Sequence, residues 1–92
     1  MKREEFINFL KSNGFYNSDS QTNPSKRIKE IKSFSNNRIV INIISYKSKC
    51  IVDISNKYLD ITTDVKNICY SSSNAFAIRK GKVDITIWFE EK

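Results

Sequence analysis

Apolar side chains recur at helical spacing near the start of the chain, at Phe6, Ile7, Phe9 and Leu10. This spacing predicts an amphipathic helix over 3–13 whose apolar stripe faces a core. Gly14 then fits the left-handed position that follows a helix, and Phe15 can pack back on the last turn. We therefore expect the helix to end in a Schellman motif.

The next segment, 16–24, is polar and has no hydrophobic period, so it predicts a mobile loop. Asn23 and Pro24 are typical of an N-cap and of the first position of a helix, and they predict a second helix. The side chains expected to face inward from it are Ile28, Ile31 and Phe34. Because this segment is short and rich in serine, a strand paired through a turn at Asn36-Asn37 stays open as the alternative.

From residue 39 onward the hydrophobic period changes to two. Three isoleucines alternate with more mixed side chains, in the order Ile39, Val40, Ile41, Asn42, Ile43 and Ile44. This alternation predicts a strand with one apolar face. Lys47-Ser48-Lys49 is typical of a turn, and the segment 50–55 predicts the strand that returns beside the first.

A two-residue turn at Asn56-Lys57 predicts a further hairpin, into a strand over 58–63. The apolar side chains that this register places on one face are Val52, Ile54, Leu59 and Ile61. The same register sets Asp53 directly opposite Asp60. After this hairpin, Asp64 predicts the cap of a short helical turn.

The last segment predicts a hairpin of two strands, over 75–79 and 82–90, around a Lys80-Gly81 turn. Pairing Arg79 with Lys82 places on one side Phe76, Ile78, Val83, Ile85, Ile87 and Phe89. Together the elements predict an α+β domain, in which two N-terminal helices pack on one face of an antiparallel sheet of about five strands.

Length and composition are those of one globular domain. The 92 residues are 39% hydrophobic and 28% charged, and no apolar run approaches the roughly 18 residues of a membrane span. We predict a single domain with a helical part over 1–36 and a sheet over 37–92. The charged start is unlike a signal peptide, and the low cysteine content favours a reducing compartment. We therefore expect a cytoplasmic protein without membrane contact.

The net charge of the chain is concentrated in one segment. Residues 25–50 hold seven basic side chains and one acidic side chain, a net of +6, while the other 66 residues balance to zero. The seven are Lys26, Arg27, Lys29, Lys32, Arg38, Lys47 and Lys49. Such segregation indicates a polyanionic partner, because an ordinary soluble surface intersperses both signs. The alternative is a solvated lysine-rich surface.

The seven cations form one patch only under a particular geometry. Lys47 and Lys49 follow the end of a predicted strand whose start is Arg38, about 30 Å away at about 3.3 Å per residue. A single patch therefore requires the predicted second helix to run alongside that strand.

Aromatic side chains fall on the sheet face that points away from the predicted helices, at Tyr46, Tyr58 and Trp88. A solvated sheet face is normally charged and rich in threonine, so we expect this face to be covered or to bind something. Three occupants stay open. They are the loop 16–24 or the chain ends, a second copy of the chain in a homodimer, and single-stranded bases stacked on the rings.

Residue types that carry most enzyme chemistry are scarce. The chain has no histidine, which excludes His-based acid–base catalysis and His-containing metal sites. Gly14 and Gly81 are its only glycines, which excludes a phosphate-cradling loop. Cys50 and Cys69 are typical of small buried apolar side chains. We predict no enzymatic activity, no cofactor and no metal. A metal-dependent nuclease stays open as an alternative, because three carboxylates could share one sheet face: Asp53, Asp60 and Asp84.

These observations favour a small non-enzymatic binding protein that engages nucleic acid, RNA rather than duplex DNA, through a basic surface. Lysine outnumbers arginine, which suits attraction to a phosphate backbone better than base readout. An acidic protein surface would satisfy the same charges. The fourteen Ile, ten Asn and twelve Lys indicate an A+T-rich coding sequence, which is typical of low-GC bacteria, their phages and their mobile elements and is shared by some parasites. The alternative hypothesis is a phage or mobile-element protein that binds and inhibits a host protein, such as a defence nuclease, in the host cytoplasm.

Overall fold

The computed structural model describes residues 1–19 and 26–89 of the chain. These residues contain one α-helix, α1 (Arg3–Ser12), a 3-10 turn at Val65–Asn67 and eight strands. The strands are β1 Tyr16–Asn17, β2 Ile28–Ser35, β3 Ile39–Tyr46, β4 Cys50–Asn56, β5 Asp60–Asp64, β6 Ile68–Ser72, β7 Ala75–Lys80 and β8 Val83–Trp88. They form a five-stranded antiparallel sheet in the order β1 to β5 and a three-stranded antiparallel sheet in the order β6 to β8.

This architecture confirms the α+β class, the N-terminal helix and the antiparallel hairpins. Three details of the prediction are wrong. The described residues hold one α-helix rather than two, and the strands form two sheets rather than one. The predicted loop 16–24 begins with strand β1, because its first two residues pair with β2. The sheets separate at Val65–Asn67, where the Asp64 side chain accepts a hydrogen bond from the Lys66 N–H at 3.1 Å. The predicted capped turn is therefore present, and it directs the chain out of the first sheet. No helix in the described part of the chain is long and apolar enough to cross a membrane.

Helix α1 ends as its sequence predicts. The Phe15 N–H donates to the Leu10 carbonyl at 3.1 Å, and the Gly14 N–H donates to the Lys11 carbonyl at 3.4 Å. Gly14 has a φ of +85°, which its missing Cβ permits. The Schellman motif places Phe15 against the apolar side of the helix, and the buried residues of that side are Phe6, Ile7, Phe9 and Leu10.

The predicted second helix is wrong over its described residues, which form strand β2. Ile31 and Phe34 are three positions apart, so a helix would place them on one face, whereas a strand places them on opposite faces. In β2, Phe34 pairs with Ile41 and is buried, while Ile31 pairs with Ile44 on the other side of the sheet. Pairing along β3 therefore outweighs the helical signals at Asn23 and Pro24, which lie outside the described residues.

Three tight turns recur every ten residues, at 36–39, 46–49 and 56–59. In each turn the N–H of the first residue donates to the carbonyl of the fourth, at 2.9–3.0 Å. Asn36 and Asn56 brace their turns further, because each Oδ1 accepts two backbone N–H groups at 2.7–2.8 Å. Successive turns of a meander lie at opposite ends of the sheet. The first and third turns therefore share one end, where Ile39 pairs with Asn56.

The β4–β5 hairpin turns one residue later than its sequence predicts, at Lys57-Tyr58. Ile54 consequently pairs with Ile61 instead of Leu59, and the side chains keep their predicted faces. The predicted opposition of the two aspartates is wrong. Asp53 lies opposite Thr62 and accepts its hydroxyl at 3.0 Å, and Asp60 similarly accepts the Ser55 hydroxyl at 3.3 Å. The shift replaces a repulsive pair with two hydrogen-bonded pairs.

The last hairpin shows the same displacement. Lys80 pairs with Val83 around a Gly81-Lys82 turn, where Gly81 has a φ of +62°. The predicted pairing of Arg79 with Lys82 is therefore wrong, and Arg79 instead lies opposite Asp84. The predicted inward face is preserved at the buried Phe76, Ile78, Ile87 and Phe89 and at the half-buried Ile85. Val83, predicted to lie on the same side, is the exception, because it lies beside the turn with 63% of its surface exposed.

One hydrophobic cluster joins α1 to both sheets. It contains Phe6 from the helix, Ile41 from the five-stranded sheet and Phe76 from the three-stranded sheet, all with at most 1% of their surface exposed. The Phe76 ring contacts three other phenylalanines, with centroids 5.3 Å from Phe6, 6.2 Å from Phe9 and 6.4 Å from Phe89. Both sheets are therefore held by the same core.

Candidate nucleic-acid interface

Four of the seven cations gather at one end of the five-stranded sheet, which we call the basic end: Lys26, Arg27, Lys47 and Lys49. Strands β2 and β3 are antiparallel, and Ile28 pairs with Tyr46. The residues just before β2 therefore lie beside the turn that follows β3, and all four side chains are exposed. This grouping arises from strand pairing rather than from the face of a helix.

Tyr46 adds an aromatic ring to the basic end. The Lys49 Nζ lies 5.3 Å from the centre of the Tyr46 ring, a cation–π contact that holds a lysine beside a half-buried ring. Lys29 follows two residues after Arg27 and is exposed, at an irregularity in the pairing of β2 with β3. Lys49 and the Tyr46 ring therefore lie in contact at the basic end.

The single acidic residue of the basic segment is neutralised from outside it. The guanidinium of Arg3 forms ion pairs with Glu30 and Glu4, and its Nε donates to the Ser45 hydroxyl at 3.0 Å. Arg3 is itself half-buried, so these contacts keep the N-terminus of α1 on the same side of the sheet as Ser45. The Glu30 carboxylate is therefore already compensated by Arg3.

Lys32 and Arg38 do not join the basic end. Lys32 pairs with the buried Ile43 and is half-buried. Arg38 lies in the turn before β3, at the opposite end of an eight-residue strand, about 30 Å from Lys47 at about 3.3 Å per residue. The condition for a single patch of seven cations is not met.

A pocket of about 440 Å³ lies at that opposite end, which we call the pocket end. It is lined by Asn37, Arg38, Ile39, Asn56, Lys57, Tyr58 and Trp88. Tyr58 comes from the five-stranded sheet and Trp88 from the three-stranded sheet, with 85% and 52% of their surfaces exposed. The prediction that one sheet face carries Tyr46, Tyr58 and Trp88 is wrong for Trp88, which lies in the other sheet, while Tyr58 lies in the turn between β4 and β5.

Sequence reasoning missed three polar residues of this pocket, Asn37, Asn56 and Lys57, and assigned Ile39 only to a strand. The signal was present in the ten-residue spacing of the turns, because alternate turns of a meander fall at the same end of a sheet. A turn beginning at Asn36 and another beginning at Asn56 must then lie together. The contribution of Trp88 had no such signal, since it depends on how the second sheet packs.

The outer face of the five-stranded sheet is more polar than the aromatic face that the sequence predicted. One row across β2, β3, β4 and β5 consists of Ser33, Asn42, Asp53 and Thr62. Its side chains bond in pairs, with the Ser33 hydroxyl donating to the Asn42 carbonyl oxygen at 2.6 Å. A neighbouring row is aliphatic and consists of Ile31, Ile44 and Ile51, all half-buried. A homodimer through this face stays a prediction.

Comparisons with protein-family models, curated proteins and solved structures found no similar protein. The two ends of the sheet are therefore interpreted from their own geometry and charge.

The cysteines have the environment of structural side chains. Both are unpaired thiols and half-buried. Burial raises the pKa of the Cys50 thiol, while the nearby Ser45 hydroxyl, 4.0 Å from Sγ, acts in the opposite direction. A thiol that resists ionisation is a poor nucleophile at neutral pH. Within the described residues, no group of three or more His, Cys, Asp or Glu side chains is arranged to hold a metal ion.

An exposed ion pair stands apart from both ends. The Arg79 guanidinium donates to Asp84 at 3.0 and 3.4 Å across the β7–β8 hairpin. This hydrogen bonding lowers the pKa of the Asp84 carboxyl and raises the pKa of Arg79. Arg79 therefore compensates the charge of the Asp84 carboxylate.

Proposed function

We propose that this protein binds single-stranded nucleic acid, RNA in particular, by holding the phosphate backbone at the basic end. The observation that carries the proposal is the grouping of Lys26, Arg27, Lys47 and Lys49 at one end of the sheet, around Tyr46. Phosphates attract such exposed cations and release condensed counterions when they bind. The protein acts in this proposal as a binding module without catalysis.

Two features favour a single strand over duplex DNA. The aromatic ring of Tyr46 offers a stacking surface that an unpaired base can reach and a paired base cannot. The one helix of the described residues turns its apolar side into the core and exposes Glu4 and Glu5 in its first turn. The exposed Glu5 carboxylate repels phosphates, so α1 is unsuited to enter a major groove.

Salt dependence tests the proposal directly. Four phosphate contacts to a single strand predict a slope of log affinity against log salt of about −3, measured by fluorescence anisotropy with a short labelled RNA. The variant Lys47→Gln/Lys49→Gln removes two contacts and should reduce the slope to about half that value. An affinity indifferent to salt would contradict the proposal.

A matched control separates local contacts from net charge. Lys80 and Lys82 are exposed lysines two positions apart at a hairpin turn, as Lys47 and Lys49 are, but they belong to the other sheet. The variant Lys80→Gln/Lys82→Gln loses the same charge and should keep most of the wild-type slope. Equal losses in both variants would mean that overall charge, rather than the basic end, governs binding.

The alternative is a protein-directed inhibitor whose basic end occupies an acidic protein surface. A pull-down from a bacterial lysate with the same variants distinguishes it from the RNA proposal, because a directly bound protein partner would still be retained after nuclease treatment of the lysate. Retention of one discrete protein by the wild type, its loss with Lys47→Gln/Lys49→Gln, and no binding of purified RNA would favour the inhibitor.

A further inference from the structure

The pocket end combines three kinds of side chain that recognise different parts of one small molecule. Two are aromatic, Tyr58 and Trp88; two are amides, Asn37 and Asn56; and two are cationic, Arg38 and Lys57. Its volume of about 440 Å³ falls in the range of small-ligand pockets, about 300–1,000 Å³. We propose that this pocket binds one nucleotide, with the base against the aromatic rings and the phosphate at the cations.

The aromatic rings are placed for a planar ligand. Tyr58 occupies a turn and Trp88 the last position of β8, so the rings reach the pocket from two different sheets. Both remain substantially exposed although each could have contributed apolar area to the core. A nucleobase covers such rings with a flat apolar surface, and base–aromatic stacking is tolerant of base identity.

The amides supply groups that match the edges of a base. Asn56 directs its Oδ1 to the N–H groups of Tyr58 and Leu59, so its carbonyl oxygen is used within the turn and its NH₂ group is the donor left for a ligand. Asn37 is exposed and carries both a donor and an acceptor. Because the turns are braced by Asn36 and Asn56, these groups are held in place before a ligand arrives.

The cations lie beside the aromatic surface. The Lys57 Nζ is 5.6 Å from the centre of the Tyr58 ring, so one ammonium group already stands next to the proposed base position. Arg38 comes from the neighbouring turn and lines the same pocket. A phosphate attached through a sugar to a stacked base would meet these two groups, and arginine binds phosphate in a bidentate manner.

This inference goes beyond the proposed function and does not depend on it. The pocket end lies about 30 Å from the basic end along β3 at about 3.3 Å per residue, and no residue belongs to both. The nucleotide can come from two sources, a free mononucleotide or one unit of a single strand. The chemistry of recognition is the same for both.

Fluorescence of Trp88 provides the test, because it is the only tryptophan of the chain. We would titrate the wild-type protein with AMP, exciting tryptophan at the long-wavelength edge of its absorption where nucleotides do not absorb. Saturable quenching is expected, with weaker binding of adenosine, which lacks the phosphate, and of ribose 5-phosphate, which lacks the base. Quenching that rises linearly without saturation would overturn the inference for free nucleotides.

Variants establish that the signal comes from the pocket. Tyr58→Ala should weaken AMP binding about fivefold, and Lys57→Gln about threefold; both residues are exposed in a turn, so folding should be retained. Tyr16→Ala is the aromatic control, since Tyr16 is also exposed and does not line the pocket. Unchanged affinity in both Tyr58→Ala and Lys57→Gln would overturn the proposal.

A short single-stranded RNA distinguishes the two sources. If AMP fails to quench but the RNA quenches saturably and Tyr58→Ala weakens this quenching, the pocket takes a nucleotide within a strand. Titrating Lys47→Gln/Lys49→Gln with both ligands separates the two sites, because loss of the basic end should weaken RNA binding and leave AMP binding unchanged. If neither AMP nor RNA produces a saturable change that depends on Tyr58, the pocket does not bind nucleotides.

Discussion

The two ends of the five-stranded sheet are built from the same strands but present different chemistry. The basic end carries four exposed cations around Tyr46, whereas the pocket end carries two cations among aromatic and amide side chains. Their turns differ as well, because Asn36 and Asn56 brace the pocket end and Tyr46 begins the turn at the basic end. Strand reversal therefore divides one basic segment of the sequence into two unlike surfaces.

This division changes what the charge pattern means. A run of cations in the sequence indicates a polyanion, but Arg38 and Lys47 are separated by the whole length of β3. Attraction to a phosphate backbone needs only charge density, which the basic end supplies. Recognition of a single nucleotide needs a shaped surface with fixed polar groups, which the pocket end supplies. The following predictions test whether the ends are as independent as this comparison requires.

The largest effect should come from the core that both ends share. Phe76 is fully buried and contacts three other phenylalanine rings. Phe76→Ala should reduce the free energy of unfolding by about 3–5 kcal/mol, measured by urea denaturation, and Phe76→Leu by less. Val83→Ala, at a residue with 63% of its surface exposed, should change it little. A wild-type urea midpoint for Phe76→Ala would contradict the shared core.

A smaller and local effect should follow from removing an Asn brace. Asn56→Ala leaves the Tyr58 and Leu59 N–H groups without their side-chain acceptor, at a cost of about 1 kcal/mol in the free energy of unfolding. AMP binding should weaken, while the salt dependence of RNA binding stays unchanged. Asn67→Ala, at an exposed position outside both ends, is the control. If Asn56→Ala weakened AMP binding and RNA binding equally, the two ends would be coupled.

The Cys50 thiol beside the basic end should stay uncharged near neutral pH. Cys50 adjoins Lys49, and burial raises the pKa of its thiol, so it stays neutral and adds no negative charge there. Alkylation of Cys50 by iodoacetamide, followed by mass spectrometry, should be slow at neutral pH and should accelerate only above the ordinary thiol pKa of about 8.5. Rapid alkylation at neutral pH would show that the thiol is ionised.

The smallest effect is expected at Arg79 and Asp84, which lie outside both ends. The lowered pKa of Asp84 means that the pair contributes stability above the ordinary pKa of an aspartate, and that this contribution is lost as the pH falls through the lowered value. An NMR titration should place the Asp84 midpoint below the usual range, and Arg79→Gln should return it. An Asp84 midpoint unaffected by Arg79→Gln would contradict the pair, and a change in AMP or RNA affinity with Asp84→Asn would place it within a site.

Local signals in the sequence predicted much of this fold. The Schellman motif at Gly14, the capped turn at Asp64 and the inward faces of both hairpins follow from spacing and residue type alone. In both hairpins each residue pairs with a partner two positions later than predicted. Moving a turn by one position changes the pairing in this way but leaves every side chain on the same face, so the hydrophobic pattern does not distinguish the two registers. One signal in the sequence did favour the observed register of the β4–β5 hairpin. The predicted register set Asp53 opposite Asp60, and like charges that face each other across two strands are unfavourable.

The remaining errors came from contacts between distant parts of the chain. Ile31 and Phe34 fit an amphipathic helix as well as a strand, and pairing with β3 decided between them. The second sheet forms because the Asp64-capped turn redirects the chain, which local periodicity does not reveal. The pocket end depends on both sheets, so only its turn residues could have been predicted from the spacing of the turns.

An amide-resolved NMR titration tests the division of the two ends most directly. The ligands are AMP and a short abasic single strand, which carries phosphates without bases. The account predicts that the abasic strand shifts the amides of residues 26–29 and 46–49, and that AMP shifts those of 37–39 and 56–58. It would be contradicted if both ligands shifted the same amides, or if the abasic strand left the basic end unchanged.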